Sequence, residues 1–114
     1  MNFKAWTVAV LQALLLAQAS AEIRTVELAH EVRLLDLRLP QADSGTVGYK
    51  TCDECEYQTE RVTAETRWSL NGRIVPLEKF RVALARAADR SDVYVTVLHH
   101  LEDDRVTEVS VYLP

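Results

Sequence analysis

The sequence predicts a small α+β domain: an antiparallel sheet of about five to six strands with one helix packed on one face. Three observations carry that prediction. Much of the chain alternates apolar and polar residues with period two, the pattern of a strand with one wet face. Asn71-Gly72 sits between two such runs, and a type I′ hairpin turn needs two residues that tolerate positive φ. Leu77–Ala88 is rich in Ala, Leu, Arg and Glu and lacks Gly and Pro, the composition of a helix.

The segment Ile23–Leu39 is ambiguous. Val26, Leu28, His30, Val32 and Leu34 alternate, and then Leu35, Leu37 and Leu39 alternate in the opposite phase. The phase switch at Leu34-Leu35 predicts a bulge or a second strand. Leu28, Val32, Leu35 and Leu39 also fall at helical spacing. Val32–Leu39 reads as strand, and Ile23–Glu31 stays open between strand, helix and disordered arm. Pro40 ends the element and Gln41–Gly45 reads as a loop.

Thr46–Thr51 reads as a short strand, and Cys52-Asp53-Glu54-Cys55 as a tight turn. Tyr57–Leu70 reads as one longer strand, with Val62, Ala64, Thr66, Trp68 and Leu70 on its apolar face. Trp68 is expected in the core. Arg73–Val75 returns from the Asn-Gly turn and stops at Pro76. In the helix, Leu77, Phe80, Leu84 and Ala87 or Ala88 form one apolar stripe. The chain then closes with a hairpin. Val93, Val95, Val97, His99 and Leu101 alternate on its first strand, and Val109, Val111 and Leu113 on its second. Glu102-Asp103-Asp104 is the solvated tip.

The first 21 residues read as a cleavable secretory leader. Lys4 is the sole charge before Glu22, an apolar run follows from Trp6 to Ala17, and small residues stand at Ala19 and Ala21. Cleavage is expected after Ala21. The run is shorter than the ~20 apolar residues of a membrane span. Residues 22–114 are expected to form one domain, secreted or periplasmic, with no stable membrane insertion after cleavage. If the leader were retained, the chain would be a membrane-anchored periplasmic subunit.

The formal net charge of the whole chain is −4, and losing Lys4 makes the remainder more negative. That balance argues against nucleic acid, where a basic face supplies most of the affinity.

Cys52-x-x-Cys55 is the motif with the most chemistry in it. A redox pair of the thioredoxin kind places its first Cys at a helix N-terminus, where the dipole favours thiolate. Here the following residues alternate like a strand, and Asp53, Glu54 and Glu56 disfavour a thiolate. The expected role is a structural disulfide in an oxidising compartment. No metal or other cofactor is expected. The alternative metal site would use Cys52, Cys55 and His100. His99 and His100, adjacent on a strand, point to opposite faces and do not easily share an ion. His99 follows the valine face and reads as a hydrogen-bonded core or rim histidine, and His100 as a surface residue.

No catalytic signature is present in serine or glycine context. By elimination the reading is a non-enzymatic exported module that binds a partner protein or envelope component. Its candidate binding surface is the outward strand face carrying Tyr94, Thr96 and Tyr112, together with the Cys52–Cys55 turn. The rival reading is a thiol-redox or metal-handling protein that uses Cys52 and Cys55.

Overall fold

A computed structural model of the chain describes residues 26–114. The leader expected over residues 1–21 lies outside the described residues. Among the described residues, eight strands and one α-helix follow one another. The strands are β1 (Glu27–Arg33), β2 (Leu37–Arg38), β3 (Gly45–Tyr49), β4 (Gln58–Val62), β5 (Arg67–Leu70), β6 (Arg73–Val75), β7 (Tyr94–His100) and β8 (Arg105–Val111). The helix α1 (Leu77–Ala85) lies between β6 and β7.

The expected single antiparallel sheet is corrected to two sheets. One has five strands in the order β1-β7-β8-β5-β6, and the other has three in the order β2-β3-β4. The larger sheet is mixed, because β5 runs parallel to β8. Two turns divide the chain between the sheets: one at the phase switch, where a bulge or a second strand is expected, and one inside Tyr57–Leu70, which the sequence reads as a single strand.

The first is at the phase switch. Leu34–Asp36 form a single 3-10 turn. The Leu34 and Leu35 amides donate to the carbonyls of Val93 and Arg90. The turn leaves β1 in the large sheet and starts β2 in the small one. The open segment is therefore strand from Glu27, and the reversed phase of Leu35–Leu39 reports a change of sheet.

The second turn breaks the long strand expected over Tyr57–Leu70. The Thr66 amide donates to the Thr63 carbonyl, and the Thr63 amide donates to the Thr66 hydroxyl. The same hydroxyl donates to the Val106 carbonyl at 2.7 Å, in the interior. A threonine that serves its own backbone competes with the strand ladder. The apolar alternation runs through the break because Val62 and Trp68 both reach the core, each from a different sheet.

The Asn71-Gly72 hairpin forms as expected, with φ of 52° and 84° at the two positions. The side chain of Asn71 also accepts from the Leu113 amide at 2.7 Å, which ties the turn to the chain beyond β8. Leu77, Phe80 and Leu84 of α1 are buried. The helix ends at Ala85, earlier than the composition suggested. The Arg86 amide already bonds at the tighter spacing of a last turn, and the Arg90 guanidinium captures the Leu84 carbonyl at 2.9 Å. A cationic side chain on the last carbonyls also suits the helix dipole.

The terminal hairpin has a bulge: Leu98 pairs with Glu108, but His99 pairs with Val106. Thr107 is the extra residue, and the phase of β8 reverses there. Val106 is thereby as buried as Val109 and Val111, although it is out of step with them in the sequence.

One core joins the two sheets and the helix. From the large sheet come Val32, Trp68, Val95, Val97, Val109 and Val111, which share one face by register. The small sheet contributes Leu37, Val47, Tyr49 and Val62. Trp68 and Phe80 meet with ring centroids 5.4 Å apart and a tilt of 49°, a favourable aromatic geometry. The helix and the small sheet thus both lie on the inner face of the large sheet, and its outer face stays open.

Candidate functional site

The outer face can be read row by row from the strand register. One row crosses all five strands: Ile74, Ser69, Ser110, Thr96 and Glu31. None of them is buried. Thr96 donates its hydroxyl to Glu31 at 2.8 Å. Continuing the Val95–Val111 pairing by one residue sets Tyr94 opposite Tyr112. Those two tyrosines are 55% and 74% exposed, and Ile74 is 58% exposed. The structure therefore brings Tyr94, Thr96 and Tyr112 together on one open face. Its chemistry is tyrosine, threonine and serine, flanked by the charged side chains of Glu31, Arg33, Arg67 and Glu108 and by the aliphatic Ile74 and Leu98.

The cysteine turn lies beside this face. Cys52 and Cys55 are joined as a disulfide, with Cα atoms 5.1 Å apart, and both residues are exposed. The Cys55 amide donates to the Cys52 carbonyl at 3.2 Å. Beneath the turn lies a charged anchor. Asp36 is buried in the 3-10 turn and accepts from Arg33 Nε at 2.9 Å. Lys50 Nζ stands 3.9 Å from the same carboxylate. Arg33 also donates to Asp53 within the cysteine turn. The hydrogen bond that Arg33 donates to Asp36 holds its guanidinium above its usual pKa, so it stays charged. Arg33, Asp36, Lys50, Cys52 and Tyr94 line one depression of about 310 Å³. Tyr94 is thus shared between this depression and the open sheet face.

His100 is not part of that group. It pairs with Glu27 at the opposite end of β7 from Tyr94, and its ring accepts from the Asp103 amide at 3.2 Å. With both thiols in the disulfide and His100 remote, the structure does not bring Cys52, Cys55 and His100 together. The disulfide suits an oxidising, extracytoplasmic setting. No helix among the described residues is long and apolar enough to cross a membrane.

A disulfide closing so short a loop removes little chain entropy, about 2 kcal/mol. The reduced protein is expected to keep its fold and to lose stability by about that amount. Urea unfolding with and without a phosphine reductant measures it. Loss of the native circular dichroism on reduction would show that the turn holds far more than itself.

A second polar group lies between the sheets, at the far end of β7. His99 Nε2 is 3.0 Å from Glu60 Oε2 and 2.8 Å from Asp104 Oδ1. The His99 and Glu60 side chains are only 13% and 12% exposed, while that of Asp104 is 82% exposed. The other oxygen of Glu60 accepts from the Tyr49 hydroxyl at 3.3 Å. Tyr49 is fully buried beside His30, with ring centroids 5.5 Å apart. Burial, and then the nearby Glu60 charge, push the Tyr49 hydroxyl well above its ordinary pKa, so it remains a donor. The sequence pointed to His99 through its place on the valine face. It gave no sign of Glu60, which is contributed by the other sheet, or of the backbone turn that directs Asp104 back toward its own strand.

Comparison of the chain with family models, curated proteins and solved structures finds no match.

Proposed function

We propose that the protein is an exported binding module whose recognition surface is the open face of the large sheet, continued over the cysteine turn. One observation carries the reading: Tyr94 belongs both to the sheet face with Thr96 and Tyr112 and to the depression lined by Cys52, Arg33 and Lys50. The helix and the small sheet cover the inner face of the same sheet, so the outer one is free to meet a partner. Tyrosine gives a large, stiff, amphipathic contact at low entropic cost, and small hydroxylated residues between tyrosines adapt their hydrogen bonds. Evolved protein-binding surfaces use this combination. The disulfide and the Arg33 anchor hold the edge of the surface in one shape before binding, which lowers the ordering cost on association. The partner is another protein of the same exported compartment.

The test is capture from the native compartment by the wild-type protein and by a Tyr94→Ser/Tyr112→Ser variant, with Leu35→Ser as a control away from the face. Partner binding is expected to fall about tenfold or more in the double variant, since buried tyrosines are frequent hot spots. It should survive in the control. Footprinting of the complex should protect Tyr94 and Tyr112 against modification. Equal capture by all three proteins, with both tyrosines still reactive, would remove this face from the function.

A further inference from the structure

We infer that Glu60, His99 and Asp104 form a binding site for a divalent transition-metal cation of the zinc type, independent of the partner-binding face. The side chains of Asp36, Asp53, Asp103, Glu78 and Glu108 each have an arginine within ion-pair distance. Among the described residues, Glu60 and Asp104 have no arginine or lysine at that distance, as is also true of exposed acids such as Glu54 and Glu56, but these two converge on one histidine. Both approach the same ring nitrogen of His99. That nitrogen carries at most one hydrogen, so it cannot serve two carboxylates well. Glu60 is nearly buried, and a buried carboxylate is stable when it is ion-paired or bound to a metal.

The geometry suits an ion. The three donor atoms lie within 4.8 Å of one another. Zinc held at 2.0–2.1 Å by tetrahedral ligands keeps them about 3.3 Å apart. The two nitrogen–oxygen separations, 3.0 and 2.8 Å, reach that by opening a few tenths of an ångström. The Tyr49 hydroxyl fixes the second oxygen of Glu60, as groups behind metal-binding carboxylates do. Exposed Asp104 leaves one side open to solvent, where water completes the coordination. An imidazole among the donors favours zinc over calcium or magnesium, which prefer all-oxygen sets. The ligands come from β4, β7 and the β7–β8 turn, so a bound cation ties the small sheet to the tip of the central hairpin.

Zinc chloride titrated into tag-free, chelator-treated protein with its disulfide intact is the test, read by calorimetry and thermal unfolding. One equivalent should bind, and the midpoint should rise by about 5–10 °C when free zinc is tenfold above its dissociation constant. Calcium and magnesium chloride should give much smaller shifts. Asp104→Asn is the deciding variant. Asp104 is exposed with φ of 49°, and asparagine tolerates that conformation, so the fold should persist while zinc affinity drops about tenfold or more. His99→Gln should abolish the effect and His100→Ala should preserve it. Zinc should shift the His99 ring resonances and leave those of His30 and His100 in place. No zinc-dependent stabilisation of the wild-type protein, or stabilisation that survives Asp104→Asn or disappears with His100→Ala, would overturn the assignment.

Discussion

Phe80→Ala is expected to cost about 3–5 kcal/mol, a large fraction of the total stability of so small a domain. Phe80 is fully buried and stacks at a tilt on Trp68. It is the central contact of the only α-helix among the described residues with the inner face of the large sheet. The small sheet covers another part of that face, so little material is free to collapse into the space left behind. Phe80→Leu should retain most of the stability, since it keeps much of the volume. Chemical denaturation of the three proteins checks the order. A Phe80→Ala variant within 1 kcal/mol of wild type, as unfolding would report it, would mean that the helix is peripheral to the core.

The second large effect is an asymmetry between Arg33 and Asp36. Asp36→Asn removes a charge-assisted hydrogen bond and should cost roughly 1.5–3 kcal/mol. The Arg33 side chain is partly exposed, so it can turn to water. Arg33→Met should lower the urea midpoint further, because it leaves the Asp36 carboxylate buried with only Lys50 at 3.9 Å. Breaking a buried pair from the cationic side strands the acid. The double variant Arg33→Met/Asp36→Leu should recover much of the loss, since replacing a buried pair by apolar groups is often nearly neutral. Additive losses in the double variant would show that the pair acts through something other than burial of Asp36.

Individual elements could be read from local sequence because local chemistry decides them, but their assembly into two sheets, one of them mixed, could not. Asn71-Gly72 carries its own backbone preference. The stripe Leu77–Phe80–Leu84 needs only helical periodicity. The valines of β7 sit in a long run without interruption. What could not be read depends on where an element goes after it forms. Tyr57–Leu70 keeps its alternation across two sheets, because burial looks the same whether the covering residues come from β8 or from β3. The turn that divides it depends on the Thr66 hydroxyl finding the Val106 carbonyl forty residues away. The parallel pairing of β5 with β8 is likewise a long-range choice with no local signature.

The same contrast holds for the sites. Tyr94, Thr96 and Tyr112 emerge from strand parity alone, and register then sets them side by side. Cys52 and Cys55 are close in sequence, so their pairing needs no tertiary information. Glu60 lies in a charged stretch where nothing distinguishes it from Glu54 or Glu56. Its distinction comes only from facing inward on β4, opposite His99.

The strand order has a consequence for how the chain is made. β7 and β8 come last among the described strands, yet they occupy the second and third places in the large sheet, with β1 on one side and β5 on the other. Until they arrive, β1 has no neighbour in its sheet and the β5–β6 hairpin has only α1 packed against it. A chain emerging from a ribosome therefore leaves the large sheet open until the β7–β8 hairpin is free, and then closes it through contacts distant in sequence. Such closure is slow.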